Sequence, residues 1–374
     1  MNGKASFIFF IPGMSNGRMG TYQCLAVSSD GIHFEKKGPI LNLPEGYTAH
    51  FRDPKVWRED GRFYMILGAQ TLDEKGAAAL FVSDDLYHWT EAGKNVGAGM
   101  SGLGDFGYMW ECPDMTRLDG KDVLLVSPQS LEPSGHLYNN IFQSGYFIGR
   151  LDYETAEFRH GAFMELDRGF DFYVPQTFLA DGGRTILYAW MGITDETEAF
   201  QPTVAKGWVH ALTIPRVLSL RGDKVYQTPV EELKMLRKNK VSFQNVKLDG
   251  TAQLEGMKGK SAELVLDSIL AEGSGFSICF RNEAELCFDP NKQEIWLQRQ
   301  NLKTGEPETR TCKLTELSKL LIFRDHSSLE IFVNDGQEVF TARYFPDPSN
   351  DTISFQGQAE FHLAKWDLEK MQIG

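Results

Sequence analysis

The 374-residue chain carries 51 Asp and Glu against 38 Lys and Arg, which gives a formal net charge of -13. A polyanion would be repelled by so acidic a surface, so nucleic acid is not expected as a partner. The five cysteines show no Cys-x-x-Cys spacing, and the eight histidines form no His-x-x-x-His pair. This indicates reduced thiols, with neither a disulfide framework nor a metal site, and we expect no cofactor.

The first apolar run of the chain extends from Phe7 to Pro12. It is too short for a membrane helix of about 20 residues, and it lacks the basic flank and small-residue cleavage site of a signal peptide. The run therefore predicts a β-strand. We expect a cytoplasmic protein with no membrane partner, long enough for two domains.

A repeat of about 60 residues follows, marked by turns of Asn or Asp and Gly before β-prone runs. The turns are Asn2-Gly3, Asp60-Gly61, Asp119-Gly120 and Asp181-Gly182. Such dipeptides favour hairpins because both residues tolerate positive φ. Within the repeats, Ser28–Gly31 leads to Phe34 and Ser83–Asp85 leads to Trp89, which predicts another turn and strand. Four-strand units at this period indicate the blades of a β-propeller.

A proline lies six residues before the Asp of the last three turns, at the predicted start of the innermost strand. These elements are Arg52-Asp53-Pro54, Glu111-Cys112-Pro113 and Tyr173-Val174-Pro175. The first repeat has no room for this element before Asn2. We therefore expect it to lack its first strand, and the open edge to invite pairing with a second copy of the chain.

The composition changes after Pro229. Val230, Leu233 and Leu236 have helical spacing, and strands are predicted again from Val241 onward. They include a hairpin formed by Leu329–Val333 and Glu338–Ala342 around an Asn-Asp-Gly turn. The sequence predicts an all-β chain with a propeller domain over 1–229, a linker over 230–240 and a β-sandwich module over 241–374.

Two carboxylates, Asp53 and Glu111, occupy equivalent places in successive repeats. Innermost strands that start at one end of a channel would bring them together, and paired carboxylates are what glycoside hydrolysis requires. Repulsion and burial would raise the pKa of one of them, as suits a general acid. The alternative is that both only cap strands or pair with Arg52.

Three longer stretches carry a resemblance to a known family: Phe51–Trp57, Trp110–Asp114 and Asp171–Phe178. They resemble the signature stretches of glycoside hydrolase family 32, which holds β-fructofuranosidases, including invertases and sucrose-6-phosphate hydrolases. Further similar segments are Gly102–Tyr108, Gly207–His210, Pro215-Arg216 and Ser328–Phe345. The family fold is a five-bladed propeller followed by a β-sandwich, which implies that the first blade is missing here and the second is cut at its start.

By this resemblance, Glu111 is the acid/base, and Asp53 with Arg52 holds fructosyl hydroxyls and stabilises the transition state. The same resemblance implies that Cys112, Tyr173 and Trp190 shape the fructose pocket. The implied substrate is sucrose, sucrose 6-phosphate or a short fructan. Water is the expected acceptor, and a fructosyltransferase would share the same acid and pocket.

The family nucleophile is the Asp of an Asn-Asp-Pro-Asn-Gly type motif, which the sequence lacks. Its nearest imitation, Asp289-Pro290-Asn291, is predicted to be a surface turn. We therefore expect retaining acid/base hydrolysis to be weak or absent in this chain alone. The alternative is a non-catalytic fructoside-binding or vestigial pseudoenzyme. Gly13–Gly17 and Gly102–Gly107 imitate a nucleophile elbow and a dinucleotide motif, but both are predicted to be loops because no helix follows.

Overall fold

The computed structural model of the protein describes residues 7–14, 21–100, 102–193, 197–281 and 283–371, with the main chain alone over 7–14. The predicted turn at Asn2-Gly3 and residues 15–17 of the Gly13–Gly17 motif lie outside these ranges. The described residues are mostly β-strand. Within the described ranges, helical turns are confined to short 3-10 helices at Asp181–Gly183, Glu198–Phe200, Val204–Lys206 and Glu231–Leu236. The all-β prediction is confirmed.

Four small sheets come first along the described chain, and most of their strands pair antiparallel with the next strand, as in propeller blades, while β12 pairs with β10 and β16 with β14. The first sheet has β1 (Phe7–Met14), β2 (Thr21–Ser28) and β3 (Glu35–Asn42); the second has β4 (Tyr47–Glu59), β5 (Arg62–Thr71), β6 (Gly76–Ser83) and β7 (Thr90–Gly97). The third has β8 (Trp110–Leu118), β9 (Lys121–Pro128), β10 (Gly145–Asp152), β11 (Glu157–His160) and β12 (Met164–Glu165); the fourth has β13 (Tyr173–Leu179), β14 (Thr185–Met191), β15 (Ala211–Leu212), β16 (Arg216–Arg221) and β17 (Lys224–Pro229). The propeller-type prediction is confirmed, and the missing first blade stays a prediction.

Two of the predicted Asx-Gly hairpins have the expected backbone. At Asp60-Gly61 the φ angles are 45° and 85°, and at Asp119-Gly120 they are 48° and 78°. Each pair joins strands in direct register, β4 to β5 and β8 to β9. The Asp181 turn differs, because Asp181–Gly183 forms a 3-10 turn in which Gly182 and Gly183 have the positive φ angles.

The second predicted turn occurs twice with the same hydrogen bonds. The Ser28 hydroxyl accepts the main-chain N–H groups of Asp30 and Gly31, and the Asp30 carboxylate accepts those of the next two residues. Ser83 and Asp85 repeat this arrangement four strands later. In both turns a His ring lies 2.7 Å from the second Asp oxygen. The repeat predicted from sequence is therefore a repeat of side-chain chemistry as well.

The rest of the chain forms the β-sandwich module. Its strands are β18 (Arg237–Ala252), β19 (Ala262–Phe280), β20 (Ala284–Asp289), β21 (Glu294–Gln300), β22 (Pro307–Lys313), β23 (Leu320–Asp325), β24 (Ser328–Val333), β25 (Glu338–Arg343) and β26 (Ile353–Leu368). The predicted hairpin is β24 and β25, and the Asp289–Asn291 segment is a turn between β20 and β21, as expected. The helical spacing after Pro229 becomes the 3-10 helix Glu231–Leu236, and β18 begins at Arg237, ahead of the predicted Val241.

The contacts divide the chain into two compact units. The first unit comprises Met1–Leu131, Ile141–Met164 and Val174–Thr177, and the second comprises Glu132–Asn140, Glu165–Tyr173 and Phe178–Gly374. One core of the first unit joins the second and third sheets through residues such as Tyr64, Trp110 and Phe147. The second unit has the large sandwich core, with Leu264, Ile278 and Leu297 among its buried members. The boundaries at 229 and 241 stay a prediction.

Candidate active site

The predicted innermost strands share a backbone irregularity at their proline elements. The pairing of β4 with β5 shifts between Arg52 and Lys55, and that of β8 with β9 shifts between Glu111 and Asp114. The residue before the proline has a positive φ in three strands: 63° at Asp53, 47° at Cys112 and 44° at Val174. This region is strained for residues other than glycine, and a following proline restricts the backbone further. Strain repeated at equivalent places is typical of a functional site.

The two bulges of the first unit bring Arg52 against Glu111. Arg52 donates to Glu111 Oε1 through Nε at 3.2 Å and through Nη2 at 2.5 Å, and Gln129 Nε2 donates to Oε2 at 2.8 Å. The side chains of Arg52 and Glu111 remain 27% and 15% exposed. The Glu111 carboxyl is therefore oriented on both oxygens while the pair is still open to a small molecule.

Asp53 completes this cluster from the β4 side. Its Oδ2 accepts the Cys112 main-chain N–H at 3.1 Å and lies 3.8 Å from Arg52 Nε. Burial raises the pKa of the Asp53 carboxyl, against the opposing effects of the Cys112 N–H and Arg52. Burial also raises the pKa of the Cys112 thiol, with Asp53 and Glu111 adding to the effect, so this cysteine stays protonated and is unsuited to nucleophilic attack.

Two residues of the cluster were not predicted from the sequence. His50 Nδ1 lies 2.9 Å from Arg52 Nη1, and burial together with Arg52 lowers the pKa of the His50 ring. The neutral ring can therefore accept a hydrogen bond from Arg52. Strand alternation could have indicated His50, which is two residues before Arg52. Gln129 has no comparable signal, because it lies just beyond the end of β9, in an isolated β-bridge with Phe142.

A second polar network ties three strands together beside the cluster. Lys55 Nζ donates to Asp114 Oδ2 at 3.0 Å and also to the Thr177 carbonyl. Asp114, which is fully buried, accepts the Thr177 N–H at 2.5 Å and the Thr177 hydroxyl at 3.1 Å. Lys55 follows the proline of β4 and Asp114 follows that of β8, while Thr177 lies two residues after the proline of β13. The network thus fixes the strands that carry the bulges.

The structure brings together four of the predicted site residues: Arg52, Asp53, Glu111 and Cys112. Tyr173 and Trp190 belong to the second unit, where Tyr173 is buried. The ring of Trp190 packs edge-on against that of His210, with 4.8 Å between the ring centroids. A place for these two side chains in the fructose pocket stays a prediction.

The described residues contain neither a metal-ligand group nor a membrane-spanning helix. Groups of three or more His, Cys, Asp or Glu side chains able to hold a metal ion are not found among these residues. Within the same ranges, helices long and apolar enough to cross a membrane are not found either.

Two carboxyl groups beside a guanidinium suit acid/base work at a glycosidic bond. Comparison with known families supports this chemistry: the N-terminal domain of glycosyl hydrolases family 32 matches residues 3–229, and the C-terminal domain of that family matches residues 232–372. The chain belongs to glycosyl hydrolase family 32. The Arg52, Asp53 and Glu111 cluster is thus the candidate active site of a glycosidase family member.

Individual relatives agree with this assignment. The sucrose-6-phosphate hydrolase of Bacillus subtilis (strain 168) is 49% identical over 356 residues, which cover 94% of this chain and 74% of the relative. The sucrose-6-phosphate hydrolase of Klebsiella pneumoniae is 39% identical, with 96% and 74% covered. Among solved structures, the Lactobacillus gasseri sucrose-6-phosphate hydrolase has a TM-score of 0.86 and 28% identity, covering 99% of this chain and 77% of its own. The Bombyx mori β-fructofuranosidase of the same family has a TM-score of 0.83 and 29% identity, with 99% and 78% covered.

Proposed function

We propose that the Glu111 cluster acts on a β-fructofuranoside, with sucrose 6-phosphate or sucrose as the substrate. The observation that carries the proposal is the Glu111 carboxyl at the start of β8, hydrogen-bonded by Arg52 and Gln129 and neighboured by Asp53. The names of the relatives support the substrate class. A variant of the Bombyx mori enzyme has also been solved in complex with sucrose.

In this proposal, Glu111 gives a proton to the glycosidic oxygen as the bond to the anomeric carbon breaks. Asp53 and Arg52 hold the fructosyl hydroxyls, and the Asp53 carboxylate favours the positive charge that develops on the ring. Cys112, Tyr173 and Trp190 are proposed to shape the fructose pocket. In the retaining scheme a carboxylate nucleophile would hold the anomeric carbon between the two steps, and Glu111 would take a proton back from the water that displaces that carboxylate.

Retaining hydrolysis needs a carboxylate nucleophile about 5–5.5 Å from the acid. The family motif that would supply it is absent from the 374 residues. Removal of a nucleophile from a cooperating catalytic set costs about 10⁴–10⁶ in rate. We therefore propose that this chain alone hydrolyses its substrate weakly or not at all, and a fructoside-binding pseudoenzyme is the second candidate.

Location and assembly are further proposals. All five cysteines are free thiols, which supports a cytoplasmic protein. Among the strands that the structure describes, β1 pairs with β2 alone, which supports the proposed association of two copies through this edge. Light scattering that shows a stable monomer would contradict the association.

The deciding experiment measures hydrolysis of sucrose and of sucrose 6-phosphate by the purified chain and by Glu111→Gln, with fructose binding followed by calorimetry. Glu154→Gln, at an exposed turn, is the matched control. Loss of a slow wild-type hydrolysis by about 100-fold or more in Glu111→Gln alone would support the acid role. Fructose binding without hydrolysis in all three proteins would favour the pseudoenzyme, and wild-type hydrolysis at the rate of a complete family enzyme would contradict the proposed impairment.

A further inference from the structure

The second unit contains a pocket that includes none of the residues of the Glu111 cluster. Its volume is about 450 Å³, within the usual range of roughly 300–1,000 Å³ for small-molecule sites. Met191, Trp208 and Leu212 line one side, and Phe323, Ser261 and Arg343 contribute from the sandwich strands and the segment before β19. The pocket therefore combines apolar walls with a cation.

Arg343 is the unusual member of this lining. It is 1% exposed, and its Nε and Nη2 have no hydrogen-bond partner among the described residues. Arg324, which also lines the pocket, lacks a partner for Nε within the same ranges and donates one hydrogen bond each from Nη1 and Nη2 to main-chain carbonyls. A buried guanidinium with unfilled donors is costly, because the interior does not replace its lost hydration. Burial also lowers the pKa of Arg343, against the opposing effect of the Asp171 carboxylate, which is itself paired with Arg299.

The neighbouring carboxylates are already engaged with other groups. Glu330 is paired with Arg216 at 2.6 Å, and Asp325 accepts the Ser261 hydroxyl and lies 2.8 Å from His326 Nδ1. The Ser261 hydroxyl is hydrogen-bonded to Asp325, which argues against a serine nucleophile activated by His326. The pocket thus offers unfilled donors from Arg343, while its carboxylates are occupied.

Aromatic rings lie beside this cation. The Arg343 guanidinium carbon is 5.6 Å from the centre of the Trp208 ring and 5.2 Å from that of Phe345. Trp208 is 47% exposed, so much of its surface is available to a ligand. Tryptophan suits contact with a molecule that has one apolar face and polar edges, and Ser328 and His326 supply hydroxyl and imidazole groups at the pocket lining.

We propose that this pocket binds a hexose that carries an anionic group, with the anion on Arg343 and the sugar ring against Trp208. A phosphate and a carboxylate are both matched by guanidinium donors, so a hexose phosphate and a hexuronate share the required chemistry. Binding would fill the unsatisfied donors of Arg343. The site would then explain why an arginine is kept there at a cost in stability.

The first test is calorimetry on the full chain carrying Arg52→Gln, so that the Glu111 cluster cannot supply the binding. Glucose 6-phosphate, glucuronate and glucose are the three probes. We expect at least one of the two anions to bind and glucose to bind at least ten-fold more weakly. At 100 times its dissociation constant, the anion should raise the melting temperature by about 3–5 °C. Absence of binding by both anions, or equal binding of glucose, would overturn the proposal.

The second test adds Arg343→Met, with Arg221→Met at an exposed position as the control. Arg343→Met should weaken anion binding at least ten-fold while keeping or raising the melting temperature of the free chain, because the unfilled buried donors are gone. A lower melting temperature with unchanged anion affinity would assign Arg343 a purely structural role. Should Arg343→Met fail to fold, Trp208→Ala decides, since the proposal expects a loss of about five-fold or more in anion affinity and unchanged affinity would contradict it. All of these readouts are independent of hydrolysis, so failure here leaves the proposed function untouched.

Discussion

Both units contain an arginine that pairs with carboxylates, but the pair is buried in the second unit and partly exposed in the first. Arg216 in the second unit is fully buried and donates to Glu330, Asp167, Gln227 and Thr341. Arg52 in the first unit is partly exposed and is hydrogen-bonded to Glu111 and His50. It directly precedes Asp53, whose backbone is strained. The first arrangement is complete within the protein, whereas the second keeps its charges near solvent. A completed interior network serves the fold, and a partly open one on a strained backbone is available for chemistry.

The largest expected effect comes from breaking the completed network with Arg216→Met. The change leaves Glu330 and Asp167 buried without their cation, so the free energy of unfolding of the second unit should fall by about 3–5 kcal/mol. Urea denaturation measures the loss. Arg184→Met, which removes an exposed pair with Glu232, is the control and should have no measurable effect. Equal free energies of unfolding for the two variants would show that the buried network of Arg216 does not stabilise the second unit.

An intermediate effect is expected for Lys55→Met in the first unit. Asp114 would lose its cation but keep the Thr177 N–H and hydroxyl as donors. The loss should therefore be smaller, about 1–3 kcal/mol, again measured by denaturation. Lys247→Met, at an exposed pair with Glu360, is the control. A loss as large as that of Arg216→Met would mean that the two networks do not differ as described.

The smallest effect on stability, and one of opposite sign, is expected for Asp53→Asn. Since the pKa of Asp53 is raised in the folded chain, ionisation of Asp53 costs stability as the pH rises from the unfolded pKa of about 3.9 through the folded value. Asparagine is neutral and tolerates the positive φ at this position. The variant should match the wild type at low pH and gain up to about 1 kcal/mol at neutral pH.

The same variant should bind fructose roughly 10–100-fold more weakly, because hydrogen bonds to a charged acceptor are lost. Denaturation between pH 3 and pH 8, with calorimetry at neutral pH, measures both effects. Asn239→Asp, which also has a positive φ but lies in β18, is the control for backbone tolerance. A variant that is destabilised at neutral pH would show that Asp53 supports the fold in its charged form.

Local sequence signals predicted much of the first unit. Asp60-Gly61 and Asp119-Gly120 mark their hairpins through residues that tolerate positive φ, and the proline register placed Arg52 and Glu111 at equivalent positions. The strained φ angles at Asp53 and Cys112 were not predictable, since a residue before proline is normally extended. Tertiary packing overrides that local preference at the bulges.

Side-chain contacts between segments far apart in the sequence were not predicted, for a different reason. Gln129 contacts Glu111 from a position beyond the end of β9, and the unfilled donors of Arg343 depend on which neighbouring acceptors are already used. Neither the Gln129 contact nor the unfilled donors of Arg343 are indicated by a periodicity or a residue spacing in the sequence. The start of β18 at Arg237 was missed because Lys238, Asn239 and Lys240 are polar residues without an apolar alternation. The family resemblance was needed to assign roles to Glu111 and Asp53, and those roles await the assays above.

The paired turns at Ser28–His33 and Ser83–His88 have an evolutionary consequence. Each turn closes on hydrogen bonds between its own six residues, so its conformation is specified by a short stretch of sequence. Duplication of such a stretch therefore carries the hydrogen bonds of the turn with it. An exchange of the two segments between the sheets would keep these hydrogen bonds, but it would place Gly31 where the side chain of Leu86 is buried.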